Sequence, residues 1–163
     1  MVIPTQTAAT AAAAAASVAL GAAWLSESIL GLVPCELCLW QRWPYRAVLA
    51  LALLALLVPG WTRVMLPLAV VASLVGAGLA LTHVGVEQGW WPSPLPQCAA
   101  PSLGGGSIAE RLARMPERPA KPCDAPAFLL PGVPVSMAAM NLLFALALAG
   151  FLAMSMRQAQ GPP

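Results

Sequence analysis

Apolar residues dominate four stretches of the chain, which are separated by Pro, Gly and charged residues. The stretches cover approximately residues 7–30, 39–58, 64–83 and 137–156. An α-helix rises about 1.5 Å per residue, so about 20 apolar residues match the roughly 30 Å hydrocarbon core of a bilayer. The pattern therefore predicts an all-α fold: an integral membrane four-helix bundle that forms a single membrane domain over residues 1–163.

Two of these predicted spans have a competing interpretation. The Ala-rich first stretch could be a cleaved signal peptide, but such peptides begin with a positive region and the first cation is Arg42. The second stretch is uninterrupted only over residues 47–58, which is too short to span alone. Pro44 should reset the helix before it, because it cannot donate to the carbonyl of Trp40. The preceding turns carry side chains typical of a headgroup interface, namely Trp40, Gln41, Arg42, Trp43, Tyr45 and Arg46.

The long connection, residues 84–134, contains ten prolines and a Gly triplet at 104–106, so we expect no compact soluble domain in it. We interpret the triplet as a hinge, because neither a strand before it nor a Lys-Ser/Thr pair after it indicates a phosphate site. Ser107 and Glu110 have the spacing of a capping box. Apolar residues follow at helical spacing, which predicts a short amphipathic helix on the membrane surface: Ile108, Leu112 and Met115.

Composition and charge narrow the class of protein. The chain is 60% hydrophobic and 9% charged, against about 25% charged residues in soluble domains. This excludes an ordinary soluble enzyme, and the expected surroundings are membrane lipid, with no nucleic-acid partner. Positive residues lie in loops on both predicted sides of the membrane, so the positive-inside rule does not orient the chain.

The four cysteines form two pairs along the chain. Cys35 and Cys38 begin the second predicted helix, whereas Cys98 and Cys123 lie in the long connection. Four spans place the first join and the long connection on one side, so all four thiols can face one compartment. A C-x-x-C at a helix N-terminus favours thiolates. Arg42 follows at a spacing that shares their helix face, and its charge can hold a thiolate or an anionic ligand at the membrane boundary.

Two other interpretations of the cysteines remain open. A structural zinc site usually has two closely spaced pairs, but 24 residues separate Cys98 from Cys123. Two inert disulfides are permitted in an oxidising compartment, and a non-catalytic scaffold whose cysteines only staple its loop is the corresponding alternative function. The tight Cys35/Cys38 spacing beside Arg42 favours redox activity instead.

The string "PCELCLWQRWPY", a cysteine ending "WWPSPLPQC", another in "KPCD" and a final apolar helix together resemble the DsbB (disulfide bond formation protein B) family. The resemblance implies a multi-pass protein of the bacterial inner membrane whose redox cysteines face the periplasm. It also implies a protein-disulfide oxidoreductase that reoxidises a DsbA-like thioredoxin-fold partner and reduces ubiquinone or menaquinone. Vitamin K epoxide reductase-like enzymes are the nearest alternative, but there the loop pair precedes the C-x-x-C.

The same resemblance suggests a role for each cysteine. Cys98 corresponds to the cysteine attacked by the reduced partner, and Cys123 to its resolving mate. Cys35 corresponds to the residue that exchanges with the loop pair, and Cys38 to the residue that faces the quinone as a thiolate. Arg42 matches the family arginine that supports quinone binding. The Pro-rich approach to Cys98 is expected to hold it outward, while Cys123 can swing towards Cys35.

Four further residues are weaker candidates. His83 lies near the end of the third predicted span, where it either contacts the quinone or makes a purely structural hydrogen bond. Glu27 either relays protons or, as we favour, is solvated at the interface. Gln41 and Trp43 are candidates for the pocket of Arg42, although Trp43 is equally well explained as an interfacial belt residue.

Overall fold

The computed structural model describes residues 5–98, 107–113, 121–129, 132 and 134–160. These residues are helical in the main, with an isolated antiparallel bridge between Phe128 and Ser136 and no extended strand. The all-α prediction is therefore confirmed for the described part of the chain. The helices are α1 (Thr5–Ser28), α2 (Glu36–Trp40), α3 (Arg42–Leu57), α4 (Thr62–Glu87), α5 (Ile108–Ala113) and α6 (Met137–Gln160), with single 3₁₀ turns at Pro59–Trp61 and Pro96–Cys98.

Within the described residues, three segments are long and apolar enough to cross a membrane: Thr5–Ser28, Pro59–Glu87 and Met137–Ala159. The second predicted span, at 39–58, does not join them, because its helix α3 has only 16 residues. The interruption falls at Gln41, between α2 and α3. Pro44 therefore lies in the first turn of α3. Backbone N–H groups in that turn have no acceptor within the helix, so the missing N–H of proline costs no hydrogen bond. The predicted reset before Pro44 is confirmed.

The four long helices contact one another in sequence. α1 packs on α3, α3 on α4, α4 on α6, and α6 returns to α1. Their shared core is built largely from alanine: Ala8, Ala9, Ala12 and Ala16 of α1 and Ala52 and Ala55 of α3 are fully buried. Small side chains let helix backbones approach closely, which is how helices gain packing energy in lipid, where apolar burial alone drives little association. The Ala-rich composition of the first stretch therefore has a packing role.

Two local features order the described parts of the long connection. Trp91 donates its indole N–H to the carbonyl of Thr82 at 3.0 Å, and its ring lies where a side chain at Gly85 would be. Before α5, Ser107 and Glu110 make both reciprocal capping-box hydrogen bonds, as predicted. The Gly triplet at 104–106 and Met115 lie outside the described residues.

Candidate redox site and adjoining cavity

Cys35 is the N-cap of α2. Its backbone is extended (φ −82°, ψ 169°), and its sulfur accepts the backbone N–H of Cys38 at 3.3 Å. This is the position that Ser, Asp or Asn usually occupies, and an acceptor there satisfies one of the free N–H groups of the first turn. The two sulfur atoms lie 2.8 Å apart, with Cys35 buried and Cys38 half-buried. The structure therefore holds a free thiol pair at the start of a helix, as the C-x-x-C spacing predicts.

His83 is the side chain that reaches this pair from α4. Its Nε2 lies 3.5 Å from the sulfur of Cys35 and 3.8 Å from Oε1 of Glu87, one helical turn further on. Its Nδ1 lies 2.8 Å from Nε2 of Gln41. His83 is 3% exposed, so it is neither solvated nor at a helix surface. His83 both contacts the thiol pair, which the sequence did not predict, and lines the adjoining cavity; its two predicted roles, quinone contact or a structural hydrogen bond, stay predictions.

In the dithiol form, the pKa values of the two cysteines shift in opposite directions. The hydrogen bond from Cys38 is the largest influence that lowers the pKa of Cys35, to about 4, with His83 adding to it against the opposing effect of burial. The same hydrogen bond, followed by burial, raises the pKa of Cys38. In the dithiol form the thiolate therefore belongs to Cys35, which also accepts the helix N–H. The expectation of a thiolate at Cys38 does not hold for this state.

Cys98 and Cys123 form a disulfide, and the N–H of Cys123 donates to the carbonyl of Cys98 at 3.3 Å. This disulfide packs into the same apolar cluster as Cys35 and Leu37. The turn that ends at Cys98 contacts α2. The two cysteine pairs are thus neighbours in space although about 60 residues separate them in sequence.

The expected outward position of Cys98 is not observed. Cys98 is 4% exposed and Cys123 is fully buried. The preceding segment does not extend away from the helices, because Trp91 binds back to Thr82 on α4. Leu95 then packs beside the thiol cluster. In this arrangement the disulfide is enclosed.

A cavity of about 270 Å³ lies between α1, the start of α3 and α6. Its wall is mostly apolar, and the polar groups that reach it include Cys38, Gln41, Arg42, His83 and Asn141. Ligand pockets combine an apolar lining with a few such polar groups. Cys35 does not line the cavity, so Cys38 is the member of the pair that meets it.

Arg42 and Glu27 both line this cavity and form an ion pair, with Nη1 3.3 Å from Oε2. Glu27, which we favoured as a solvated interfacial residue, is 28% exposed and also pairs with Arg42. The Nε atom of Arg42 is buried and has no hydrogen-bond partner among the described residues. A buried donor without a partner is costly, so a ligand acceptor at this point would be stabilised.

The remaining residues of this segment separate into two groups. Trp43 is 64% exposed and stacks under the guanidinium of Arg46, at 4.9 Å from its ring centre, which suits an interfacial residue. Gln41 and Tyr45 are instead 6% and 5% exposed. Gln41 and Trp43 were both candidates for the pocket of Arg42. Of the two, Gln41 lines the cavity and Trp43 does not.

Sequence reasoning missed the residues that connect to His83 through hydrogen bonds. Asn141 donates to Gln41 and accepts from Tyr45, and Ser136 donates to Glu87. Asn141 carried a usable signal, because it is a strongly polar residue inside an otherwise apolar stretch. Glu87 carried no such signal, because the predicted span ends before it and leaves it in a loop. The observed helix continues for one more turn and includes it.

Cys35, Cys38 and His83 also place one potential metal ligand each within 4.8 Å of one another. Two thiolates on one tetrahedral zinc, with Zn–S bonds of about 2.3 Å, would lie roughly 3.8 Å apart. The observed sulfur separation of 2.8 Å is shorter. The geometry therefore suits a pair that closes to a disulfide better than a shared metal.

A helical protein with membrane-length apolar helices, a free thiol pair and an adjacent disulfide belongs to the class of membrane thiol–disulfide oxidoreductases. Comparison with known proteins makes the class specific. The family model described as "Disulfide bond formation protein DsbB" matches residues 5–155. The chain belongs to the DsbB family, whose activity is disulfide bond formation.

Two relatives extend this comparison. An uncharacterised protein of Rickettsia prowazekii (strain Madrid E) is 30% identical over 136 residues, which is 83% of this chain and 78% of the relative. The disulfide bond formation protein B of Chromobacterium violaceum is 41% identical over 97 residues, 58% of this chain and 55% of the relative. No solved structure matches the chain significantly.

Proposed function

We propose that this protein is a thiol:quinone oxidoreductase of the bacterial inner membrane. It reoxidises a periplasmic DsbA-like thioredoxin-fold protein and passes the electrons through two cysteine pairs to ubiquinone or menaquinone. The observation that carries the proposal is the contact between the two pairs: the Cys98–Cys123 disulfide packs on the helix that presents Cys35 and Cys38. A scaffold that only staples its loop needs no free thiol pair beside a cavity.

The relay consists of two thiol–disulfide exchanges. A thiolate of the reduced partner attacks Cys98, so that a mixed disulfide forms and Cys123 leaves as a thiolate. The second partner thiol then displaces Cys98, which leaves the partner oxidised and the loop pair as a dithiol. The loop dithiol reduces the Cys35–Cys38 disulfide in the same way, and each step moves two electrons and two protons.

The second exchange changes the neighbours of Cys38. When Cys35 is joined to Cys123 in the mixed disulfide, it is no longer a thiolate. It then cannot accept the hydrogen bond that keeps the proton on Cys38. The hydrogen bond with Cys35 is the largest influence that raises the pKa of Cys38, so its removal lets Cys38 ionise. Cys38 thereby becomes a thiolate at the cavity wall only when the loop pair has delivered its electrons.

The residues around the cavity fit a quinone head group. The volume of about 270 Å³ lies just below the roughly 300–1,000 Å³ typical of pockets for drug-sized ligands, which suits one substituted ring. Arg42 offers its unpartnered Nε to a carbonyl oxygen, and Cys38 lies on the same wall. A bound quinone supplies the two-electron, two-proton acceptor that the cysteine pairs lack.

We infer that α3 is the fourth span of a four-helix membrane bundle. Its 16 residues rise about 24 Å at 1.5 Å per residue, which is short of the roughly 30 Å core. Trp43 and Arg46 at its start can extend their side chains to the headgroup region, which compensates for the short apolar length. With four spans, both termini face the cytoplasm and all four cysteines face the periplasm, where α5 lies on the membrane surface.

A reconstituted assay tests this function. The full chain in detergent micelles is mixed with a reduced thioredoxin-fold dithiol oxidase and a soluble ubiquinone or menaquinone analogue. We expect loss of partner thiols and of quinone absorbance in a one-to-one ratio, and no turnover when Cys38 is replaced by Ala. Oxidation of the partner without quinone reduction would contradict the proposal.

A further inference from the structure

A chain of hydrogen bonds runs from Tyr45 to the thiol pair through three helices. The hydroxyl of Tyr45 donates to Oδ1 of Asn141, and Nδ2 of Asn141 donates to Oε1 of Gln41. Gln41 Nε2 lies 2.8 Å from Nδ1 of His83, and His83 Nε2 lies 3.5 Å from the sulfur of Cys35. Tyr45, Gln41 and His83 are each at most 6% exposed, so water does not compete for most of these bonds.

The far side of His83 determines which nitrogen carries the proton. Its Nε2 faces two acceptors, the sulfur of Cys35 and the carboxylate of Glu87. Ser136 donates to the other oxygen of Glu87, so that oxygen is also an acceptor. If Nε2 carried no proton, its lone pair would face the sulfur and the carboxylate, which are both acceptors. A proton on Nε2 gives them a donor instead.

The rest of the chain then follows by elimination. A neutral imidazole with its proton on Nε2 has an acceptor at Nδ1, which requires the amide N–H of Gln41. Oε1 of Gln41 then requires a donor, and Asn141 supplies it. Oδ1 of Asn141 in turn requires a donor, which the hydroxyl of Tyr45 provides. Reversal of either amide would place like groups against each other in a buried site.

We propose that Asn141 and Tyr45 are positioning residues of the redox site: they fix the amide of Gln41, and so hold His83 as the Nε2–H tautomer that donates to Cys35. The inference rests on the proposed function for its purpose, since a donor to Cys35 stabilises the sulfur that exchanges with the loop pair. Neither residue touches the reacting sulfur atoms. Each acts through His83.

The tautomer can be observed directly, because His83 is the single histidine in the chain. Full-length protein labelled with ¹⁵N in the histidine ring is reduced in detergent micelles at about pH 8.5. Nitrogen–proton correlation spectra then distinguish the two tautomers and the imidazolium. We expect the proton on Nε2 in the native chain. A proton on Nδ1, or on both nitrogens, would overturn the proposal.

Asn141→Leu removes the amide and keeps a similar volume. Without its anchor the amide of Gln41 can turn over, so we expect a mixture of the two His83 tautomers. Site-resolved alkylation, read by peptide mass spectrometry, should show the Cys35 pH midpoint rising by about one unit, which corresponds to one hydrogen bond to a charged group. An unchanged tautomer together with an unchanged midpoint would mean that Asn141 only packs.

Two further variants separate positioning from general damage. Tyr45→Phe removes only the terminal donor, so both readouts should move in the same direction as in Asn141→Leu but by less; unchanged readouts would exclude Tyr45 from the chain. Ser155→Ala removes a buried hydroxyl that lies on the same helix as Asn141 and donates to the carbonyl of Phe151, and it should change neither readout. If Asn141→Leu does not fold, the native spectrum and Tyr45→Phe still decide the question. Neither readout uses a quinone or a partner, so failure of the proposed function leaves this test intact.

Discussion

Cys35 and Cys38 have the same chemistry and differ only in their neighbours. Cys35 accepts a helix N–H and faces His83, whereas Cys38 faces the cavity wall. The spacing of the two cysteines predicts a low-pKa thiol at a helix start, and that much could be read from the sequence. Which cysteine would be the thiolate could not, because the sequence shows neither which sulfur accepts the hydrogen bond of the other nor that His83, 48 residues further along, contacts Cys35.

The unequal thiols predict a pH profile. A lowered pKa means that the Cys35 thiolate is present above that pKa and is lost as the pH falls through about 4. In the reduced protein, alkylation of Cys35 should therefore stay nearly constant from about pH 6 to 8, whereas a free thiol gains reactivity up to about pH 8.5. Cys38→Ala should raise the midpoint more than His83→Ala, because the hydrogen bond from Cys38 is the larger influence. Site-resolved alkylation measures both, and a native midpoint near 8.5 would contradict the assignment.

Arg42 and Glu27 give a second prediction. We expect Arg42→Met to weaken the apparent affinity for quinone by about tenfold or more, the size of one lost charge-assisted hydrogen bond. Exchange with the partner should be largely unaffected, and Arg42→Lys should rescue only in part, because an ammonium lacks the planar fork. Steady-state kinetics at varied quinone concentration provide the measurement.

Removal of Arg42 also leaves Glu27 as an unpaired, half-buried carboxylate. The double variant Arg42→Met/Glu27→Gln removes that charge. If the double variant regains native affinity, Arg42 serves only to neutralise Glu27, and the proposed contact from its Nε to the quinone is wrong.

Among the helices, the apolar pattern predicted the long elements well and their interruptions less well. α1, α4 and α6 follow directly from continuous apolar runs. α3 is too short to qualify as a span by itself, and the sequence already showed why, through Pro44. The extension of α4 to Glu87 could not be foreseen, because it depends on Gly85 receiving the ring of Trp91 and on Ser136 binding Glu87.

The contact between Gly85 and Trp91 predicts an effect on the loop disulfide. In Gly85→Ala a methyl group would overlap the indole ring, and overpacking of this kind costs about 1–3 kcal/mol. The segment that leads to Cys98 should loosen, so we expect faster reduction of the Cys98–Cys123 disulfide by dithiothreitol and a lower thermal midpoint in micelles. Gly78→Ala is the matched control on the same helix, since its added methyl group meets open space. Equal reduction rates in the two variants would show that Trp91 does not hold the segment.

For the assembled protein, the proposed orientation makes all four cysteines reachable from one side of the membrane. Reduced cells treated with a membrane-impermeant thiol reagent should show labelling at Cys98 from the periplasmic side. Labelling should increase in Gly85→Ala, because Cys98 is 4% exposed in the docked arrangement. A Cys98 that reacts only after the cytoplasmic face is opened would reverse the topology.

The order of the relay combines the site, the loop and the membrane orientation. Cys98 ends a turn that contacts α2 and retains slight exposure, whereas Cys123 is fully buried. In the proposed relay the partner attacks Cys98. In Cys123→Ala the resulting mixed disulfide lacks the neighbouring thiol that would compete for Cys98 at high effective concentration. We expect this variant to accumulate a covalent complex with the reduced thioredoxin-fold partner, which dithiothreitol dissolves.

Cys98→Ala is the matched control, because it also removes the loop disulfide but leaves only the enclosed sulfur. Non-reducing gels should show at least several-fold less complex for this variant than for Cys123→Ala. Loss of the disulfide alone would affect the two variants equally, so a difference between them shows which cysteine the partner attacks. A complex that forms instead on Cys123 would reverse the two roles, and equal complexes would mean that the loop opens completely before the partner attacks.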